Sequence, residues 1–388
     1  MQVRTLFITI FVSLSVCATA QTPGVPVFTS GAEGYKSFRI PAILRLPNGD
    51  LLAFAEGRVK GGNDYGNIDI VMKRSKDGGA SWSALSVVAE NDTVQAGNPA
   101  PVLDMLDPAY PKGRLFLFYN TGDAPERDIK EGKGTRQCCY KTSADGGYTW
   151  TAPVNISSQV HRLLRPQVNP EWNFKEDWRW YANTPGHAFQ TQEGQYRGRL
   201  YIAANHTSPM PNARGWDYAA HAYYTDDHGK TFQLAATLPV PGTNEATAAP
   251  LAANRVMINV RNQGGGRRTR VVGYSSDGGA HWDTTYFDAQ LPDPACEGSL
   301  LTIGKKKGKA VLAFSNEAAV TRRDSLTLRI SFDEGLSWPQ QYLIDANPSK
   351  KMNTAYSDIV WLKKNAIGVL YEKDNYNSIL FTVIKIKQ

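Results

Sequence analysis

Five short segments share one pattern, Ser/Thr-x-Asp-x-Gly-x-x-Trp/Phe, and no other feature of the chain restricts its fold as much. They run from Ser75 to Trp82, Ser143 to Trp150, Thr225 to Phe232, Ser275 to Trp282 and Ser331 to Trp338. In each, the glycine supplies a positive φ, and the Asp and Ser/Thr side chains can bond the exposed backbone of a β-hairpin turn. The aromatic residue then re-enters a strand. Apolar, alternating runs precede the segments, such as Ile68-Asp-Ile-Val-Met-Lys and Leu326-Thr-Leu-Arg-Ile, and read as strands. The closing aromatics lie 50 to 82 residues apart. That is room for a four-stranded sheet with loops, and such sheets repeated radially make a β-propeller. No segment reads as a long helix, and no linker marks a second domain.

The N-terminal region carries a separate signal. Arg4, an apolar run from Leu6 to Val16, and Ala18-Thr19-Ala20 describe a secretory signal peptide over residues 1–20, removed after Ala20. The run is too short to span a bilayer as a mature helix, and Val16 argues against lipidation at Cys17. A secreted or periplasmic protein without a membrane anchor is expected, with residues 21–388 as the mature chain. The formal charge of +7 suits an anionic ligand or simple solubility. Cys138, Cys139 and Cys296 follow the leader. Adjacent cysteines seldom bridge each other, so at most one disulfide, to Cys296, is expected.

The five segments resemble the Asp boxes of the sialidase (neuraminidase) superfamily, in particular its bacterial-type secreted members. That resemblance implies an all-β, six-bladed β-propeller with Asp-box hairpins, built as one catalytic domain over residues 21–388. Six blades would use about 61 residues each, within the scale of such repeats, and a blade can lack the motif. The boxes are folding elements, and similar boxes occur in propellers that are not sialidases. Function must therefore be read from residues outside them.

A sialic acid carries a carboxylate on its anomeric carbon, so its recognition calls for fixed guanidinium groups. Three arginines stand in contexts that resemble the family's triad: Arg39 in Phe-Arg-Ile-Pro, Arg261 in Ile-Asn-Val-Arg-Asn, and Arg323 in Thr-Arg-Arg-Asp-Ser. Strand alternation sends the adjacent Arg322 to the opposite face, and Arg323 has the spacing of the family's third arginine from Leu326-Thr327. The resemblance makes Glu372 the counter-charge to Arg39. It makes Tyr356, in Asn-Thr-Ala-Tyr-Ser-Asp-Ile, the nucleophile and Glu245 its base. A neutral tyrosine avoids the repulsion that a carboxylate nucleophile would meet from the substrate's own carboxylate; a tyrosine nucleophile is the recognised sialidase exception among glycosidases. A free tyrosine ionises near pH 10, so Glu245 and the arginine field are expected to help it ionise. Asp64, on the glycine-rich loop Gly61-Gly-Asn-Asp-Tyr-Gly, becomes the acid for the leaving oxygen. Asn67 stands where the family often has a second Asp, and Asp69 is read as structural. Arg58 is expected to support the same rim, with Asn98-Pro99 and Gly186-His187 as further pocket loops.

Other chemistries find little support. The six histidines have no zinc-ligand spacing, and neither a nucleophile elbow nor a phosphate loop occurs. No metal or cofactor is expected. The basic runs at Lys305 and Gly266 lack interleaved aromatics and read as solvated turns, so nucleic acid is not an expected partner. Sialylated glycans are, for a monomeric protein. Two functions remain: an exo-sialidase, with transfer to a sugar as a variant, and a sialoglycan-binding propeller that would need neither Tyr356 nor Asp64. Three N-glycosylation sequons begin at Asn91, Asn155 and Asn205.

Overall fold

The computed structural model describes residues 24–210, 215–363 and 365–387; the expected leader lies outside them. The chain is an all-β propeller, and the described helices are the short segments Glu126–Lys130 and Ser157–Val160. No described helix is long and apolar enough to cross a membrane.

The strands form five hydrogen-bonded sheets. The first contains two antiparallel meanders. One is Ser37–Arg45, Leu51–Arg58, Ile68–Ser75 and Ser86–Ala89, and the other is Gln95–Asp104, Arg114–Gly122, Arg136–Ser143 and Val154–Asn155. A single parallel pairing, Ile68 with Gln95, joins them. The second sheet is built on Tyr181–Asn183, Leu200–Thr207, Tyr218–Thr225 and Gln233–Leu234, with Phe189–Gln190 at its side. The third holds Thr243–Pro250, Val256–Asn262, Thr269–Ser275 and Thr284–Pro292; the fourth holds Ser299–Lys306, Lys309–Glu317, Leu326–Ser331 and Gln340–Asp345. The last combines Thr354–Lys363, Ala366–Lys373 and Ser378–Lys385 with Val25–Thr29 from the other end of the chain. Four sheets are thus separate blades. Hydrogen bonding does not divide the strands into the six separate sheets expected, because the Ile68–Gln95 bridge fuses two meanders into one ladder.

Antiparallel pairing of Val25 with Phe381 and of Thr29 with Ser378 closes the ring. This closure explains why there are five boxes. A box is the turn between the third and outermost strands of a sheet, and in the last sheet those two strands are the two ends of the chain. In the first box, Ser75 Oγ donates to Asp77 Oδ1 at 2.8 Å and accepts from Gly79 N at 2.8 Å, while Asp77 Oδ1 accepts from Ser81 N at 2.9 Å. Bonds from Ser81 and Ser75 pull the Asp77 carboxyl down to about 2. Gly79 combines φ 96° with tight packing: a Cβ there would lie 2.0 Å from the Phe381 ring of the neighbouring sheet. Trp82 meets the same ring at 5.5 Å between centroids.

Apolar side chains gather between neighbouring units of the ring. One cluster joins the last sheet to the first meander through Phe28, Phe38, Leu370 and Phe381. Another lies between the two meanders through Leu52, Phe54, Leu115 and Leu117. Cys138 and Cys139, adjacent on one strand, point to opposite faces and enter different clusters, while Cys296 packs with Ile40, Ala355 and Tyr356. All three thiols are buried and free. The disulfide to Cys296 considered from sequence does not form, because strand alternation separates the pair and neither face meets Cys296.

Candidate active site

Four innermost strands lose register near their starts. Ile40 and Pro41 drop out of the ladder between Arg39 and Ala42, Asn98 and Pro99 between Gly97 and Ala100, Asn244 and Glu245 between Thr243 and Ala246, and Ala355 and Tyr356 between Thr354 and Ser357. Such bulges bend a strand and re-aim its side chains. Ile40 takes φ 57°, a left-handed conformation that costs a β-branched residue roughly 1–3 kcal/mol. Its N–H is held by Glu372 Oε1 at 2.9 Å. Pro41 fits the bulge because it has no N–H to leave unpaired.

These starts, with the loops joining second to third strands, surround a cavity of about 510 Å³ lined by Arg39, Arg58, Asp64, Glu245, Arg261, Arg323 and Tyr356. The boxes follow the third strands and occupy the opposite rim. Glu372, fully buried, sits behind the lining and receives Arg39 Nε at 2.7 Å, Arg39 Nη2 at 3.3 Å and Tyr356 N at 3.1 Å. One carboxylate therefore fixes both the first arginine and the backbone of the tyrosine. The Arg39 guanidinium lies 3.7 Å over the Tyr376 ring, and Arg323 Nη1 donates to the Tyr376 hydroxyl at 3.1 Å. Arg323 lines the cavity, whereas Arg322 turns to Asp324 at 3.1 Å.

Tyr356 Oη donates to Glu245 and accepts from Arg261 Nη1 at 2.9 Å; the same Nη1 bonds Glu245 Oε2 at 2.6 Å. Burial and then the Glu245 charge push the phenol well above its ordinary value, and Arg261 and Arg323 pull against them. This corrects one expectation. The Glu245 charge opposes a standing tyrosinate, and of the charged neighbours only the arginines favour one.

Asp64 stands on the loop over the cavity with its side chain 76% exposed. Arg58 Nη1 binds its Oδ1 at 2.7 Å and the Gly62 carbonyl at 2.7 Å, and Arg39 Nη1 approaches to 3.7 Å. Desolvation at the cavity mouth raises the Asp64 carboxyl, but Arg58 and Arg39 outweigh it and hold it below its usual range. Arg58 itself is buried against Glu56, at 3.0 and 2.6 Å, and so anchors the loop to the rim.

The expected pocket loop Gly186-His187 falls elsewhere. His187 does not line the cavity; it is buried against Asp358 at 2.7 Å. Its imidazole turns inward to that buried carboxylate, which also accepts from the His187 N–H at 3.1 Å. Asp69 accepts from Tyr35 at 2.7 Å, a structural role, as read. Asn98 does line the cavity, as do Glu126, Trp180 and Tyr218, which sequence reasoning missed. Nothing in the local sequence of those three marks them, since a helix of five residues and a distant sheet bring them together. Tyr376 lies four residues beyond Glu372, close enough in sequence to be read with it. Away from the cavity, Asp104, Asp107 and His228 group three metal-ligating side chains. Asp107 is paired with Arg114 at 2.9 Å and Asp104 with His228 at 2.8 Å, so their ligand atoms are occupied by one another and by arginine.

The BNR repeat-like domain family matches residues 49–369. A sialidase of Micromonospora viridifaciens is 30% identical over 372 residues, covering 90% of this chain and 53% of the relative. The chain belongs to the sialidase family. A second family member, the sialidase of Bacteroides fragilis, is 26% identical over 383 residues, covering 94% of this chain and 65% of its own. This sialidase-family chain thus spans about half to two thirds of the length of these curated relatives. Among solved structures, the Hadza microbial sialidase Hz136 superposes with a TM-score of 0.74 at 23% identity, over 94% of this chain and 68% of that one. That likeness concerns the fold.

Proposed function

We propose that the protein is an exo-alpha-sialidase that hydrolyses terminal sialic acids from glycoproteins, glycolipids or oligosaccharides with retention of configuration. The observation that carries this reading is the contact of Tyr356 Oη with both Glu245 and Arg261 inside a cavity that also presents Arg39 and Arg323. The three guanidinium groups clamp the substrate carboxylate. As Tyr356 Oη attacks the anomeric carbon, Glu245 takes its proton, and Asp64 gives a proton to the departing glycosidic oxygen. Water, deprotonated by Asp64, then displaces the tyrosine, and the proton returns from Glu245 to Oη. The bound carboxylate also neutralises the arginine field that keeps Asp64 ionised, so binding favours the protonated acid. Transfer to another sugar would share every step before the final attack.

We further read residues 21–388 as one catalytic domain of six blades. Supporting this, the box glycine Gly147 of the second meander packs on Leu52 of the first, as Gly229 packs on Phe116 and Gly279 on Tyr201 of the preceding unit. An apolar cluster also separates the two meanders. The leader implies export to the periplasm or outside the cell, and the protein acts as a monomer on sialylated glycans.

The test is hydrolysis of a fluorogenic sialoside by wild type and Tyr356→Phe, with NMR of the first-formed anomer. Wild type releases the retained anomer, and the variant loses turnover while still binding the unsaturated sialic acid glycal. An inactive wild type that binds the glycal would establish the binding-propeller reading, and initial inversion would exclude the tyrosine mechanism.

A further inference from the structure

Outside the cavity lining, the carboxylate of Asp358 is fully buried among the innermost strands. Its Oδ2 accepts from Ile43 N at 2.7 Å and His187 N at 3.1 Å. Its Oδ1 accepts from Ser299 Oγ at 2.6 Å and Ile359 N at 3.0 Å and contacts His187 Nδ1 at 2.7 Å. These donors come from three other parts of the ring: the strand of Arg39, the segment after Tyr181–Asn183, and the strand Ser299–Lys306. No ladder joins those innermost strands to Thr354–Lys363; Asp358 bonds all three parts to it at one carboxylate, beside the Ile359 N bond to Ser299 Oγ at 3.3 Å and the Glu372 bonds to Ile40 N and Tyr356 N.

Asp358 also lies two residues beyond Tyr356, and Ile43 four beyond Arg39. Both Tyr356 and Arg39 sit at bulges where ladder pairing is interrupted. Where a bulge breaks the ladder, the position of the side chain depends on the anchors flanking it. For Tyr356 those anchors are Glu372 on its own N–H, Glu297 Oε2 on Ser357 N at 3.0 Å, and Asp358. Glu372 and Glu297 hold backbone on either side of the strand. Asp358 alone among the three connects it directly to the ladder-paired part of the Arg39 strand beyond the bulge. Gly186 adjoins the carboxylate so closely that a Cβ there would lie 3.0 Å from Oδ1, and its φ is 93°, so the close approach calls for glycine.

We propose that Asp358 is a positioning residue for catalysis, setting the distance between the Arg39 clamp and the Tyr356 hydroxyl. It acts through the backbone and never touches substrate. The proposal rests on the sialidase reading above, since it concerns the placement of a carboxylate-bound sugar over Tyr356. It also gives the Asp of the Ala-Tyr-Ser-Asp stretch a role that the reaction itself does not use.

The experiment compares wild type, Asp358→Asn, Ser299→Ala and Asp50→Asn. The asparagine keeps the shape of Asp358 but turns one acceptor into an NH2 group facing N–H donors. Ser299→Ala removes one donor to Asp358 and serves where Asp358→Asn does not fold. Asp50 is a buried carboxylate paired with Arg74 at 3.0 Å, away from the cavity, and controls for lost stability. Turnover is measured well below each melting temperature, and glycal affinity separately. A displacement of about 1 Å costs on the order of 100-fold in rate. Asp358→Asn is expected to lower kcat about 10- to 100-fold, and Ser299→Ala about 3- to 10-fold, with glycal affinity within about threefold of wild type. Asp50→Asn lowers the melting temperature and leaves kcat unchanged. An Asp358→Asn or Ser299→Ala enzyme that is less stable but has wild-type kcat would overturn the proposal and leave the sialidase reading intact. Absence of turnover in wild type would overturn both.

Discussion

Replacing Glu372 by glutamine tests the electrostatic design of the cavity most directly. The side chain keeps its shape and loses its charge, and its amide nitrogen cannot accept a bond. One oxygen now receives Arg39 Nε and Ile40 N, and the other receives Arg39 Nη2 and Tyr356 N. Whichever way the amide turns, two of these donors face an NH2 group. The Arg39 side chain is 6% exposed and that of Glu372 is fully buried, so solvent does little to screen the loss. Removing one partner of a buried ion pair costs about 3–5 kcal/mol. Asp64, 3.7 Å from Arg39 Nη1, remains as a weaker counter-charge on a cavity open to water, which places the expected loss near the lower end, about 3 kcal/mol. A ligand carboxylate would supply the missing charge. The variant should therefore gain more stability from the bound glycal than wild type does, which by linkage is tighter glycal binding. Denaturant unfolding with and without glycal measures both effects. A loss below about 1 kcal/mol, the range of an exposed pair, together with an equal gain from glycal, would refute the claim that Glu372 is the counter-charge that organises the clamp.

Three further outcomes follow from other parts of the fold. Gly79→Ala places a methyl group against Phe381 at a positive φ and should destabilise the ring by roughly 2–5 kcal/mol without changing kcat at low temperature, as denaturation and turnover together would register. Burial pushes the Glu317 carboxyl up to about 8, against the pull of a backbone N–H and Arg323. The native state thus keeps a proton that the unfolded chain releases near pH 4.3, so the stability it contributes is full below that pH and declines as pH rises toward 8. Relative to wild type, Glu317→Gln should gain about 3 kcal/mol between about pH 5 and pH 7, and a constant difference would exclude a retained proton. Pro41→Ala, at the bulge beside Arg39, should raise KM several-fold with little loss of stability; the reverse pattern in KM and melting temperature would show that the proline serves folding instead.

Much of this architecture could be read along the chain because its signals are local. A box needs its Ser, Asp, Gly and aromatic residue within eight positions, so the hairpin and the propeller are spelled out without reference to anything distant. Residues of the site that resemble the family in short stretches, Arg39, Arg261, Arg323, Tyr356, Glu372, Glu245 and Asp64, could be named for the same reason, although composition alone would not have singled them out from 18 tyrosines and 43 basic residues. Their roles in the reaction remain the proposal made above.

What required the tertiary structure depends on groups far apart in the chain. The bulges that lift Ile40 and Tyr356 out of their ladders are settled by pairing, and the opposed effects of Glu245 and the arginines on the phenol arise only when the residues meet across the ring. Arg322 and Arg323 lie on the loop before Leu326–Ser331 rather than on a strand, so only the course of that loop sends one to the cavity and the other to Asp324, and His187, read as a pocket residue, is held by the buried Asp358. The single Ile68–Gln95 bridge that fuses two meanders cannot be foreseen from either strand. Sequence specifies each strand and turn through its own side chains, whereas charge balance, the aim of a side chain and the burial of a carboxylate depend on which distant groups share a space.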